Sequence, residues 1–243
     1  MAASTVSATY TPQGTREKVG DLEIYFVGSG PPVVVVYDIF GFDYPQLFQV
    51  CDRIASAGFS VGMPDMFRGS PWTKDKFPPK PEDNFMGWVK SQSDFYWKVK
   101  PDIDATVSLL RRTDAVADGK AAVIGFCWGG AMSLQAASDP KFGAVACVHP
   151  NFKLLPGMGG PAADEARCPV ALMPAKGDDV EKVKDGIYQK EFVGKCLYKE
   201  FPEQVHGFMA ARGDWTDPKV AAAATEGIEK LCAFLRENLL ESS

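Results

Sequence analysis

The stretch Gly125-Phe126-Cys127-Trp128-Gly129-Gly130 constrains this chain more than any other. A run with strand character, Lys120 to Ile124, leads into it, and a run with helix character, Ala131 to Ala137, leads out. Small residues two before and two after a nucleophile, at a strand-to-helix junction, are the pattern of a nucleophile elbow. Glycine is needed on both flanks because the central residue sits on a sharp, strained turn where a neighbouring Cβ would clash. The alternative role for Cys127 is that of a small hydrophobe buried after a core strand.

An elbow needs a sheet to stand on, and the flanking sequence supplies one. Leu22 to Val27 reads as a strand, and Val33 to Tyr37 is an unbroken branched run of the kind buried on both faces. Gln46 to Ala57 has helical spacing and ends at Gly58, and Phe59 to Met63 is the next strand. After the helix Asp102 to Arg112 and the elbow come strands at Gly143 to Val148, Val170 to Ala175 and Cys196 to Phe201. An irregular helix is expected at Val180 to Phe192 and a long amphipathic one at Val220 to Leu240. Strands alternating with helices imply an α/β fold with one open, mostly parallel sheet covered on both faces. Residues 21–243 read as a single domain, preceded by a flexible tail at 1–20, and the Gly- and Pro-rich 151–167 as a long loop. The aromatic stretch holding Phe85, Trp88, Phe95, Tyr96 and Trp97 interrupts the rhythm and has two readings, core or a cover over the site.

Composition removes several functions. A formal charge of −5 and no lysine–arginine cluster argue against nucleic acid or an anionic membrane as partner. No apolar run is long enough to cross a bilayer. Six cysteines without CxxC spacing, and no signal segment, point to free thiols in a cytosolic protein. Two distant histidines give zinc no ligand set, and the glycines form no dinucleotide or phosphate loop, so no cofactor is expected.

Those two histidines also shorten the search for a base. His206 lies in the loop between the last strand and the last helix, the final place in the order nucleophile, acid, histidine. His149, before Pro150, is assigned a structural or pocket-lining role. The acid should follow the strand Val170 to Ala175, where Asp178 is favoured after the turn residue Gly177, and Asp179 is a surface neighbour or N-cap. A carboxylate there would fix the tautomer of His206, and a cysteine beside a histidine ionises readily and attacks carbonyls. The oxyanion donors expected are the backbone amides of Trp128 and Ile39.

The set Asp38-Ile39-Phe40-Gly41, Pro64-Asp65, the 125–130 elbow, Gly177-Asp178 and His206-Gly207-Phe208 resembles the dienelactone hydrolase family from about residue 20 onward. Mammalian carboxymethylenebutenolidase homologues look similar, including the aspartate at 38. The resemblance implies an α/β-hydrolase fold, a monomer, no cofactor, and a triad of Cys127, His206 and Asp178 with oxyanion donors Ile39 and Trp128. In bacterial members a glutamate at the position of Asp38 holds the resting thiol, which makes Asp38 the thiol-contacting carboxylate here, one methylene shorter. Those members bind a substrate carboxylate with arginines and with a serine after the histidine, where this chain has Gly207, with Ala210 three further on. Arg212 or Lys90 is the candidate replacement, and Phe40, Trp88, Phe208 and Arg212 are the candidate substrate-binding residues. The function expected is hydrolysis of an ester or lactone through a thioester acyl-enzyme. The rivals are a glycoside hydrolase using Asp38 and Asp178, and a non-catalytic protein that senses small electrophiles through a reactive thiol.

Overall fold

Valines at every position from Val33 to Val36 can only be accommodated where a strand is covered on both faces, and β3 (Pro32–Val36) is buried throughout at the middle of the sheet. A computed structural model describes residues 8–113, 119–155 and 157–240. It contains one sheet of eight strands among the described residues: β1 (Thr15–Val19), β2 (Leu22–Val27), β3, β4 (Ser60–Pro64), β5 (Ala121–Phe126), β6 (Phe142–Val148), β7 (Val170–Met173) and β8 (Leu197–Tyr198). Their spatial order is β1-β2-β4-β3-β5-β6-β7-β8, antiparallel from β1 to β4 and parallel from there on. Parallel strands need crossovers, and α1 (Pro45–Ser56), α3 (Lys100–Thr113), α4 (Trp128–Ala136), α6 (Glu181–Tyr188) and α7 (Pro218–Leu239) lie on or between them, with the short α2 (Phe85–Gln92) preceding α3. This is the α/β-hydrolase architecture.

Two expectations are corrected. The tail proposed for residues 1–20 is ordered from Thr15, where β1 pairs with β2 in a hairpin that turns on Gly20 at φ 66°. Its polar sequence suits an exposed sheet edge, so it carries no hydrophobic signal. Ahead of it, Tyr10 Oη and Gln13 N both donate to the buried carboxylate of Asp52 on α1. Residues 1–7 of that tail lie outside the described residues. The loop expected at 151–167 contains a helix, α5 (Gly159–Glu165), packed on α4 and α6. Gly159 lets it pack closely, since a Cβ there would come 2.9 Å from Val183 of α6.

The aromatic excursion resolves mainly as core. Trp88 packs on Phe67, Trp72 and Phe85, and Phe67 packs on Trp128 of the elbow. Only its tip is outside: Tyr96 is 64% and Trp97 85% exposed, on a π-helical turn at Phe95–Val99. None of the described helices is long and apolar enough to cross a membrane.

Candidate active site

The loops at the carboxyl ends of β3, β5, β7 and β8 meet over the middle of the sheet, where parallel folds place their chemistry. Cys127 stands on the first residue after β5, at φ 56° and ψ −114°, a conformation that costs a non-glycine residue about 1–3 kcal/mol. Three bonds hold it there: its N–H donates to Val148 O, and its carbonyl accepts from Gly130 N and Asn151 N. The flanking glycines are steric necessities. A Cβ on Gly125 would lie 2.0 Å from Gly129 O, and one on Gly129 would lie 2.2 Å from Val36 O. The thiol is 6% exposed, at the floor of a pocket of about 310 Å³.

Asp178 follows β7 through a tight turn in which its N–H donates to Ala175 O across Gly177, at φ 82°. The turn is tied to the histidine loop, because Lys176 N donates to Gln204 O. Asp178 Oδ1 thereby lies 2.6 Å from His206 Nδ1, while its Oδ2 accepts from Ala175 N at 2.8 Å. Burial disfavours a charged ring at His206, but the Cys127 sulfur and the Asp178 carboxylate outweigh it and raise the group to about 10. His206 Nε2 is buried and makes no hydrogen bond of ordinary geometry, so sulfur and ring are coupled neighbours rather than a rigidly bonded pair.

Ile39 lines the same pocket and Trp128 directly follows Cys127 in the elbow, and among the described residues neither backbone amide donates to a protein acceptor. Trp128 N is free because it opens α4, whose first amides have no carbonyl behind them. Its indole is anchored, donating to Ser93 Oγ at 2.9 Å.

Asp38 is wholly buried but does not hold the thiol. Its Oδ1 accepts from Phe40 N at 2.9 Å and its Oδ2 from Ala211 N at 3.1 Å, and no hydrogen bond from Cys127 reaches it. The shorter side chain turns back on its own loop, shaping the Ile39–Phe40 turn and tying it to the histidine loop. Burial raises its carboxyl to about 6 against the pull of those amides, His206 and Arg212.

Of the candidate substrate contacts, Phe40 and Arg212 line the pocket, with Phe77, Phe85, Phe152 and Leu154 as its apolar wall. Trp88 and Phe208 do not. Trp88 stacks at 6.3 Å behind Phe85, and Phe208 is fully buried against Phe201 and His149. The Arg212 guanidinium lies 5.8 Å above the Phe77 ring, forms no salt bridge among the described residues, and is drawn below its usual value by burial despite Cys127, Asp38 and Asp178 nearby. Lys153 and Lys176, which sequence reasoning passed over, also reach this pocket, and Lys90 does not. A larger hollow of about 640 Å³, around Lys120, Arg167 and Leu239 at the opposite strand ends, contains none of these groups.

Comparisons with known proteins bear on the fold and the family. At the level of class, a dienelactone hydrolase-like promiscuous phosphotriesterase from metagenomic libraries superposes with a TM-score of 0.70 at 19% identity, covering 93% of this chain and 98% of its own. That likeness establishes the fold. The chain belongs to the dienelactone hydrolase family, whose profile matches residues 26–239, and so to the hydrolases of ester bonds. A carboxymethylenebutenolidase homolog of Mus musculus is 36% identical across 94% of this chain and 92% of its own length. An uncharacterized AIM2 family protein of Schizosaccharomyces pombe is 29% identical across 96% and 95%.

Proposed function

We propose that this protein is a cysteine-dependent hydrolase of a small ester or lactone. The observation that carries the reading is the line Cys127, His206, Asp178: a strained elbow cysteine beside a ring whose far nitrogen is held at 2.6 Å by a buried carboxylate. The Cys127 thiolate attacks the carbonyl carbon and forms the C–S bond. The carbonyl electron pair moves to oxygen, facing the Ile39 and Trp128 amides. The intermediate collapses to a thioester, and the departing alkoxide takes the proton from His206. Water then attacks the thioester, gives its proton to His206, and the carboxylic acid leaves as Cys127 regains its electron pair.

The pocket supports a small, apolar acyl group, and Arg212 is the residue we assign to an anionic substituent. A monomer in the cytosol, working without a cofactor, fits six free cysteines. The glycoside alternative would need Asp38 and Asp178 as acid and base, but their oxygens are committed to backbone amides and His206. The test is turnover of p-nitrophenyl acetate by Cys127→Ala. Abolished turnover is expected, and wild-type turnover refutes the mechanism. Labelling of Cys127 by iodoacetamide without hydrolysis of any ester in a broad panel would favour the sensor instead.

A further inference from the structure

His149 is a buried titratable group beside the triad that the mechanism leaves unused and, unlike Asp38, its side chain has no hydrogen-bond partner among the described residues. It follows β6 directly and is pinned there, its N–H donating to Met173 O at 2.8 Å, at φ 34° in the region that favours glycine. This strained backbone sends the ring inward, where it is 0% exposed. Its neighbours are Phe126 at 5.6 Å, Phe208 at 5.8 Å and, edge to face, His206 at 5.2 Å with the planes 63° apart. Neither of its ring nitrogens has a hydrogen-bond partner among the described residues.

A neutral imidazole carries one N–H and one lone pair, and burying both unpaired is costly. Phenylalanine would fill such an aromatic niche without that penalty, so packing alone does not account for a histidine. We propose that His149 is a positioning residue for His206: a buried imidazole that braces the ring of the base edge to face and solvates its protonated form where water is excluded. The proposal rests on the Cys127–His206–Asp178 reading given above.

Two features support the assignment. A buried ring among Phe126 and Phe208 is held far below the ordinary histidine value, with the neighbouring His206 and Arg212 adding to the effect, so His149 does not compete for the proton. An edge-to-face partner also restricts rotation of His206 about its side chain, which the single bond from Asp178 does not do alone. The charged groups facing this pair are Cys127 on the elbow, Asp178 after β7, Asp38 after β3 and Arg212 after His206.

The test compares wild type, His149→Phe and His149→Leu by kcat, KM, melting temperature and titration of the Cys127 thiolate, followed by absorbance or iodoacetamide rate. His149→Phe is expected to melt no lower than wild type yet lose about tenfold in kcat at unchanged KM, a fraction of the about 10²–10⁴-fold that a general base contributes, since the base is displaced and not removed. Its thiolate–imidazolium pair should lose its proton about one pH unit earlier, the same tenfold factor in the equilibrium. His149→Leu, lacking the ring, should lose more. Wild-type kcat and wild-type titration in His149→Phe overturn the proposal, whether or not the leucine variant folds. The titration needs no turnover, so it still reads His149 if Cys127→Ala keeps wild-type activity and the triad reading itself fails.

Discussion

The sharpest consequence of the geometry concerns Asp178→Asn. In the native loop the two carboxylate oxygens have separate partners, Ala175 N at 2.8 Å and His206 Nδ1 at 2.6 Å. Asparagine has one acceptor and one donor to place against them. The Ala175 amide is fixed in the turn and can only donate, so the asparagine oxygen must stay with it. The NH2 group then faces His206 Nδ1, which can receive it only as an acceptor. The ring proton is driven to Nε2, the atom that should accept from Cys127, and the base is blocked. Loss of a charge-assisted bond removes about 1.5–3 kcal/mol. The wrong tautomer adds to this, and the equivalent change in a serine triad lowers kcat by about 10⁴. We expect kcat/KM on p-nitrophenyl acetate to fall by about 10³, or ~4 kcal/mol, while the melting temperature stays close to wild type because the Ala175 bond survives. A loss smaller than about tenfold would show that Asp178 does not set the tautomer, and the reasoning would fail.

The remaining predictions use other parts of the same frame. His206 is raised from 6.5 to about 10, so its interactions stabilise the fold fully below pH 6.5 and are lost as pH rises through 10. Thermal melts of wild type should therefore decline between pH 8 and 10 by up to about 1.4 kcal/mol per pH unit relative to His206→Gln, and parallel curves would contradict the ring's position. Gly125→Ala would place a Cβ 2.0 Å from Gly129 O and 2.3 Å from Ser133 Oγ, so we expect a loss of more than ~3 kcal/mol in urea unfolding or no soluble protein; a native midpoint would disprove the contact. Asp38→Ala releases the Phe40 and Ala211 amides and should lower kcat/KM about 10²-fold, with the iodoacetamide rate of Cys127 within about threefold of wild type. Labelling accelerated well beyond that would restore the thiol-holding role to Asp38.

How much of this was legible in the sequence depended on how local each signal is. The elbow was readable because it lies within six consecutive residues between a strand and a helix, with Gly125 answering to Gly129 and Ser133, although Gly129 answers to the distant Val36. The order of nucleophile, acid and histidine was readable because chain order maps onto strand order in a parallel sheet. The identity of Asp38 was plain but its work was not, since one of its two partners, Ala211, lies 173 residues away. Trp88 and Phe208 illustrate the same limit: an aromatic beside a motif fills core or lines a pocket according to tertiary placement, and both are behind the wall. His149 carried one usable sign, its place at the end of the strand paired with the elbow strand, Phe126 opposite Val148. The strand β1 and the helix α5 were missed for compositional reasons, the first being polar at a sheet edge and the second rich in glycine.

The groups to which we assign the attack and those to which we assign the choice of substrate are held by different means, and this explains why one set stood out in the sequence and the other did not. The amides of Ile39 and Trp128 and the strained turn at Cys127 are backbone features, fixed by β3, β5 and the glycines between them. The walls are side chains on excursions, free to change without disturbing the sheet. Gly207 and Arg212 show how such a change propagates. Gly207 sits at φ 92° beside the base, and a Cβ there would come 3.0 Å from Arg212 Cδ and 3.1 Å from its Cβ. A side chain at 207 and the present course of Arg212 therefore cannot coexist without one of them shifting. Gly207 leaves the space that the Arg212 stem occupies, and the guanidinium of Arg212 comes to the pocket over Phe77. Gly207→Ser should accordingly shift the Arg212 stem rather than simply add a contact, so under the proposed role of Arg212 the two residues act on the pocket as a pair.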